Sequence, residues 1–219
     1  MSSDFYGATH RALQDQFETR KMADLMERAI LKTALDEADK QFVASRDMFF
    51  LSTLDHQGRP TVSYKGGDAG FIKIVDDQTI AFPSYDGNGM YYSMGNLAAN
   101  PEVGILFIDF ETPNRMRLQG RASITPNDPL LAQYKEADLV VRVAITQTWV
   151  NCPRYVHRYQ KIAPSRYVPR PDSETPFCVW KRIEGFNEVL RPQDMGRTEA
   201  EGGPLSFEQF ADKVAKGEA

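Results

Sequence analysis

The strongest candidate for binding chemistry is the segment 83–100, P-S-Y-D-G-N-G-M-Y-Y-S-M-G-N-L-A-A-N. Loops rich in glycine and asparagine can turn several backbone N–H groups toward one point, and such a nest binds anions, above all phosphate. After Gly89 the spacing of Met90, Met94 and Leu97 predicts a helix. Its N-terminus would add further N–H groups and a positive dipole end. The alternative interpretation of D-G-N-G is a plain turn, and both stay open.

The second candidate is S-Y-K-G-G at residues 63–67, which ends a β-prone run. Lys65 supplies a cation, Ser63 a hydroxyl and Tyr64 an aromatic ring, while the two glycines leave room for a flat ligand close to the backbone. The alternative is a strand end with a solvated lysine and a loose turn.

A third source of positive charge is the alternating run R-M-R-L-Q-G-R-A-S-I-T at residues 115–125, which carries Arg115 and Arg117. Several cations and a nest on neighbouring β elements suit a cofactor that combines a phosphate with an aromatic ring. None of the three segments would indicate such a cofactor alone.

Conventional catalysis and metal binding have little support. The three histidines, His10, His56 and His157, belong to no metalloprotease or nucleophile motif, and the G-x-G-x-x-G and P-loop signatures are absent. Cys152 and Cys178 match no zinc spacing. A pair of Cys152 and His157 is conceivable, but a structural role for both is the favoured interpretation.

A run dense in arginine and tyrosine covers residues 151–170. Its arginines have three interpretations: they bind an anionic substrate, they pair with acids across an interface, or they form a solvated rim. These arginines are Arg154, Arg158, Arg166 and Arg170.

The elements that must position these segments follow from periodicity. Apolar residues at three- and four-residue steps predict helix over about residues 10–46. β-prone runs at short spacing, with few long helices between them, predict an antiparallel β-barrel. These runs are residues 48–54, 59–65, 71–75, 79–82, 103–110, 115–125, 139–150 and 177–183. A short helix is predicted at 153–161, and Leu205, Phe207, Phe210 and Val214 could share one amphipathic helix in the polar tail.

Composition limits the class of protein. The 219 residues include 26 basic and 30 acidic side chains, so the net charge is −4, and no basic block favours nucleic-acid binding. No apolar run approaches a membrane span, and the first residues lack a signal-peptide pattern. We therefore expect a cytoplasmic protein with a single domain. Its three parts are a helical segment whose apolar stripe packs on the barrel (1–46), the barrel itself (47–190) and a polar tail (191–219).

The sequence also resembles a known family. Residues 49–67, F-F-L-S-T-L-D-H-Q-G-R-P-T-V-S-Y-K-G-G, residues 81–110 with the loop and N-P-E-V-G-I-L-F, and R-M-R-L-Q-G-R-A at 115–122 carry the resemblance. They are similar to the pyridoxamine 5′-phosphate oxidase-like FMN-binding split-barrel proteins over about residues 42–125. N-C-P-R-Y-V-H-R-Y resembles a subgroup of that family.

The resemblance implies an antiparallel split β-barrel with flanking helices and a homodimer that holds FMN in a groove between its two chains. It implies an FMN-dependent oxidoreductase acting on a small molecule. FMN would lie on one strand, on the following loop and helix, and against a strand of the partner chain. The corresponding positions here are Ser63, Tyr64, Lys65, Gly66, Ser84, Asn88, Gly89, Met90, Ser93, Asn96, Arg115 and Arg117.

The sequence departs from the true pyridoxamine phosphate oxidases in three places. They have Arg-x-x-x-x-Lys on the second strand, where this chain has T-V-S-Y-K-G-G, and Ser-Arg-Lys in the loop, where this chain has Y-D-G-N-G-M. They end in a motif rich in Trp and Arg, whereas this chain ends in a polar tail. Pyridoxamine phosphate is therefore a disfavoured substrate.

Two other functions stay open at this stage. One is a protein that binds flavin, deazaflavin or haem without turnover, because a binding groove does not demonstrate a substrate. The other is a purely structural interaction domain, which explains the glycine-rich loop least well.

Overall fold

The computed structural model describes residues 5–125 and 127–219. The chain divides into two compact units, the first ending at Pro164 and the second beginning at Ser165. Residues 1–4 of the predicted N-terminal segment lie outside the described part. The three-part division at residues 46 and 190 stays a prediction.

The first unit is built on seven strands that form one antiparallel sheet. The strands are β1 (Met48–Leu54), β2 (Pro60–Gly66), β3 (Lys73–Asp76), β4 (Thr79–Tyr85), β5 (Glu102–Asp109), β6 (Asn114–Ile124) and β7 (Ala137–Asn151). Their order is β2-β1-β5-β6-β7-β4-β3, and no described pairing joins β2 to β3, so the sheet is not closed. The predicted split barrel with flanking helices is confirmed.

Alternation along the strands separates the two faces of the sheet. On β1, Phe49 and Leu51 are buried, while Phe50 and Ser52, which alternate with them, are half-buried on the opposite face. The buried face holds the core, where the ring of Phe49 lies 4.9 Å from that of Phe82 and 5.6 Å from that of Phe107. A fully buried side chain of this size contributes about 1.5–3 kcal/mol, so these aromatic residues hold the strands together.

The predicted N-terminal helix is divided into three: α1 (Ala8–Gln16), α2 (Arg20–Ile30) and α3 (Glu37–Ala44). The first break is at Glu18, which has a φ of 55°. At the second break, Lys32 leaves the helix and exchanges two backbone hydrogen bonds with Thr148 of β7. Asp36 then begins α3, because its side chain accepts a hydrogen bond from the N–H of Asp39.

The helix predicted within segment 83–100 is confirmed as α4 (Tyr92–Ala99). It buries Met94 and Leu97 against the sheet. The loop from β4 to α4 therefore passes above the end of β2.

The helix predicted at 153–161 is absent, since the described backbone there has only turn and coil conformations. A helix needs its N–H groups for internal bonds, but here they bind elsewhere. The N–H of Tyr159 donates to the carbonyl of Phe110, and the N–H of Lys161 donates to the Glu111 carboxylate.

In the second unit, the strand predicted at 177–183 is wrong. Val179–Arg182 forms a 3-10 helix, with Phe177, Val179 and Ile183 buried. A short apolar run cannot distinguish a buried strand from a buried helical turn. The unit also contains α5 (Arg197–Ala200) and α6 (Phe207–Ala215), and α6 confirms the amphipathic helix predicted in the tail.

Candidate functional site

A cavity of about 360 Å³ lies between β2, the end of β4, the following loop and the first turn of α4. It brings together seven of the predicted site residues. They are Ser63, Lys65, Ser84, Asn88, Gly89, Met90 and Ser93. The two segments selected from the sequence as separate candidates therefore form one site.

Lys65 is the cation of this cavity. Its side chain is half-buried, and burial lowers the pKa of its amine below the usual value. In the part of the chain that the structure describes, no carboxylate forms an ion pair with it. A buried charge without a partner is costly, so the position of Lys65 favours an anionic ligand that would pair with its charge.

The N-terminus of α4 faces the same cavity. Tyr91 precedes the helix in the left-handed region, with a φ of 47°, and no side chain caps the first turn. The first N–H groups of a helix have no partner within it, so this turn can donate to a ligand. In the loop, the Asn88 side chain accepts from the N–H of Met90 at 3.1 Å, which fixes the approach to the helix.

Two serine hydroxyls link the strand to the helix. The Oγ atoms of Ser63 on β2 and Ser93 on α4 are 3.1 Å apart. A hydroxyl can donate one hydrogen bond and accept others, so this pair can turn toward an anion at the helix N-terminus.

Asn96 is a buried residue of α4 and lies outside the cavity. Its buried side-chain amide donates to Oγ1 of Thr53 at 3.0 Å, and that oxygen lies 2.9 Å from Oγ1 of Thr61 on β2. Thr61 itself lines the cavity. The chain of hydrogen bonds from Asn96 through Thr53 to Thr61, here called the relay, therefore holds α4 in position over β2, the strand that carries Lys65.

A second link between helix and sheet begins at the β1–β2 turn. The backbone N–H and side chain of Arg59 and the N–H of Gln57 bind the Asp55 carboxylate, which lowers its pKa to about 2. The Tyr92 hydroxyl donates to the same carboxylate at 3.4 Å. The turn thus holds the first residue of α4.

The remaining predicted residues lie on the other side of the sheet. This surface, here called the outer face, contains a groove of about 490 Å³ lined by Phe50, Val62, Leu106, Arg117 and Trp149 together with their strand neighbours. The side chains that line it are mostly apolar. Arg117 therefore faces this groove and not the cavity of Lys65.

Tyr64 and Gly66 also depart from the simple picture of a flat ligand on β2. The Tyr64 ring lies 6.2 Å from the ring of Phe50, on the outer face. A Cβ added to Gly66 would stand 2.7 Å from a ring carbon of Tyr64. The space that glycine leaves open is therefore filled by the chain's own tyrosine.

Arg115 stands at the end of the outer face, opposite Asn151 of β7. Its Nε is buried, as is Oδ1 of Asn151, and neither atom has a hydrogen-bond partner among the described residues. Unsatisfied buried polar atoms are uncommon and need an explanation. A ligand or a second chain at this end of the sheet would supply one.

Sequence reasoning missed Tyr91 and Tyr92 as lining residues. Their signal was present, because two adjacent tyrosines in a glycine-rich loop are exposed aromatic residues. The Tyr91 hydroxyl donates to Asp138 at 2.6 Å, on the strand β7 that pairs with β4. Only the fold brings Asp138 near the loop.

The other candidates lie outside the cavity. His10, His56, His157 and Cys152 are all exposed. In residues 5–125 and 127–219, no group of three or more His, Cys, Asp or Glu is arranged to hold a metal ion. The helices of the same ranges are too short or too polar for any of them to span a bilayer.

Several solved structures are similar to this chain. A putative pyridoxamine 5′-phosphate oxidase from Lactobacillus delbrueckii is 20% identical, with a TM-score of 0.45, over 54% of this chain and 95% of its own. The haem storage protein HutZ from Vibrio cholerae is 22% identical, with a TM-score of 0.39, over 53% and 94%. An FMN-binding protein from Syntrophomonas wolfei is 12% identical, with a TM-score of 0.40, over 66% and 98%.

No curated protein matches the sequence. The family model described as pyridoxamine 5′-phosphate oxidase matches residues 35–163. That match covers more than half of the chain, including α3, all seven strands and both sides of the cavity. The chain therefore belongs to the pyridoxamine 5′-phosphate oxidase family.

Proposed function

We propose that this protein binds FMN, with the phosphate in the Lys65 cavity, and that it is an FMN-dependent oxidoreductase acting on a small molecule. The observation that carries the proposal is Lys65 itself. It is a half-buried cation without an ion pair in the described chain, placed beside an uncapped helix N-terminus. Together, a cation and a helix N-terminus form a ready anion site.

The cavity fits a phosphate in three further respects. The hydroxyls of Ser63 and Ser93 lie 3.1 Å apart in its lining. A Cβ on Gly87 or Gly89 would meet no atom within 4 Å, so the loop leaves open space above its backbone. Gly89 has a φ of 74°, which turns the loop in a way that other residues rarely adopt.

A bound flavin would supply the hydride chemistry, and the chain would bind and orient it. Lys65 would neutralise part of the phosphate charge, while the first turn of α4 donates N–H groups. The Asn96–Thr53–Thr61 relay would hold these groups in register.

The proposal includes a homodimer that buries the outer face. The family resemblance implies that β6 reaches the flavin of the partner chain, which would give Arg115 and Arg117 a role away from their own cavity. Two facts support this: Arg117 lines an apolar groove, and Nε of Arg115 lacks a partner in the described chain. Pyridoxamine phosphate stays disfavoured as substrate because of the sequence departures.

The visible spectrum of the protein as purified tests the proposal. Flavin absorption that is released on denaturation, and that NADH or NADPH bleaches, is the expected result. Bound flavin that neither donor reduces would favour a binding protein without turnover. A Soret band or a deazaflavin spectrum would replace FMN by the corresponding cofactor, and a colourless protein that FMN does not stabilise against heat would overturn the proposal.

A further inference from the structure

The helices α1 and α2 form an arm that projects from β7. Neither helix contains a buried residue. Both ends of the arm are attached at one place: the Phe5 ring lies 5.2 Å from that of Trp149, and Lys32 pairs with Thr148. The arm therefore begins and ends beside the outer face.

Charged side chains make the contact between the two helices. Arg11 of α1 forms ion pairs with Asp24 at 2.6 Å and with Glu27 at 3.3 Å on α2. Arg20 binds Asp15 in the same way. Five of the eight charged side chains of residues 8–30 are thus paired within the arm.

One apolar stripe on α2 is largely exposed in the described chain. Met22, Leu25 and Met26 occupy positions i, i+3 and i+4 and are 60%, 53% and 40% exposed. This spacing is that of the anchors by which a helix binds an apolar groove. Helices of 9 and 11 residues are only marginally stable in water without such packing.

We propose that the α2 stripe packs into the outer-face groove of a second copy of this chain, so that the two protomers exchange arms. The proposal rests on the dimer proposed above and adds its locking element. Five strands line the groove, which at about 4.8 Å per strand gives a width of roughly 19 Å. The 11 residues of α2 span about 16 Å, so helix and groove match in size.

The chemistry of the arm favours a second copy over other partners. Residues 8–30 carry four basic and four acidic side chains, so they form neither the basic stripe that nucleic acid requires nor the cationic face of a membrane-surface helix. The groove is mostly apolar, as is the stripe. Since both surfaces belong to one chain, a twofold dimer would bury both of its stripes in both of its grooves.

Sedimentation equilibrium of the full chain tests the exchange. We expect the double variant Leu25→Gln and Met26→Gln to weaken the dimer at least tenfold. The matched control is Lys21→Gln with Arg28→Gln on the same helix, which should leave dimerisation unchanged. Glutamine is a good helix former, so circular dichroism should show equal helix content in both. Equal dissociation constants for the two variants would overturn the proposal.

Cross-linking gives a readout that does not require a destabilised variant. In a background with Cys152→Ser and Cys178→Ser, one chain carries Leu25→Cys and a second chain of different mass carries Val62→Cys. Oxidation should yield a mixed disulfide-linked dimer. Its absence in a dimeric sample, or a linkage formed within a single chain carrying both cysteines, would refute arm exchange. A dimer that contains flavin but forms no cross-link would refute arm exchange and leave the FMN proposal intact. A cross-linked dimer without flavin would refute FMN binding and leave arm exchange intact.

Discussion

The two faces of strand β2 differ in chemistry although they come from the same seven residues. On one face, Ser63 and Lys65 lie under the α4 loop and form a polar cavity. On the other, Val62 and Tyr64 join an apolar groove and an aromatic pair. Because side chains alternate along a strand, a single element can supply a ligand site and an assembly surface, and Val62 borders both of them.

The largest effect should come from the outer face. Leu106→Arg would place a charge in the middle of the groove, where a partner chain would bury it without a counter-ion. We expect the dimer to weaken by at least about 100-fold, measured by sedimentation equilibrium. An unchanged dissociation constant would show that the outer face is not an interface.

On the cavity face, Lys65→Met should weaken FMN binding about 10- to 100-fold, because it removes a charged hydrogen-bond donor worth about 1.5–3 kcal/mol. Riboflavin, which lacks the phosphate, should bind with unchanged affinity. Fluorescence titration measures both, and Lys73→Met on β3 is the matched control. Equal losses for FMN and riboflavin would mean that Lys65 does not contact the phosphate.

The pH dependence of FMN affinity also tests the role of Lys65 on the cavity face. Burial lowers the pKa of Lys65, so its amine loses its proton below the usual value of about 10.4. The phosphate, whose second pKa is about 6, stays doubly charged above neutral pH. FMN affinity should therefore fall as the pH rises toward about 10, because the Lys65 amine loses its proton there, and Lys65→Met should flatten the decline. A wild-type profile as flat as that of the variant would contradict the role.

A smaller effect on FMN affinity is expected from Asn96, on the buried side of α4. Asn96→Ala removes a buried hydrogen bond to Thr53 and should lower the free energy of unfolding by about 1–3 kcal/mol. FMN affinity should fall several-fold because the helix is no longer held above β2. Urea unfolding compares the variant with Ser123→Ala on an exposed position of β6. Full FMN affinity in a destabilised Asn96→Ala protein would show that the hydrogen bonds of Asn96 do not support FMN binding.

The smallest effect concerns Asp55. Its pKa of about 2 in the folded protein lies below its value in the unfolded chain. Its contribution to stability is therefore complete above about pH 4 and is lost as the pH falls toward 2. Asp55→Asn should be less stable than wild type at neutral pH and should lose less stability over this acid range in thermal unfolding. Parallel curves for the two proteins would contradict it.

The sequence predicted much of this arrangement because its signals are local. The glycine-rich loop, α4 and the strand that ends in Lys65 can all be identified from periods and turn residues. The sequence could not show that Ser63 and Ser93 meet, that Tyr64 folds over Gly66, or that Asp138 reaches Tyr91. Those contacts depend on strand pairing between distant segments. The helix predicted at 153–161 is wrong for the same reason, because N–H groups of this segment bind the distant β5–β6 turn.

The arm illustrates a different limit. Its helical period was visible, and core packing was the natural interpretation of an apolar stripe. The structure buries no residue of α1 or α2, whereas Val43 of α3 lies in the core. Periodicity identifies an apolar face but does not identify the surface that covers it.

The most direct test of the central claim is a titration of the wild-type apoprotein with FMN and with riboflavin under the same conditions. We predict one FMN per chain and an affinity for FMN at least about tenfold above that for riboflavin, because the Lys65 cavity binds the phosphate. Equal affinities, or no binding of either flavin, would contradict it.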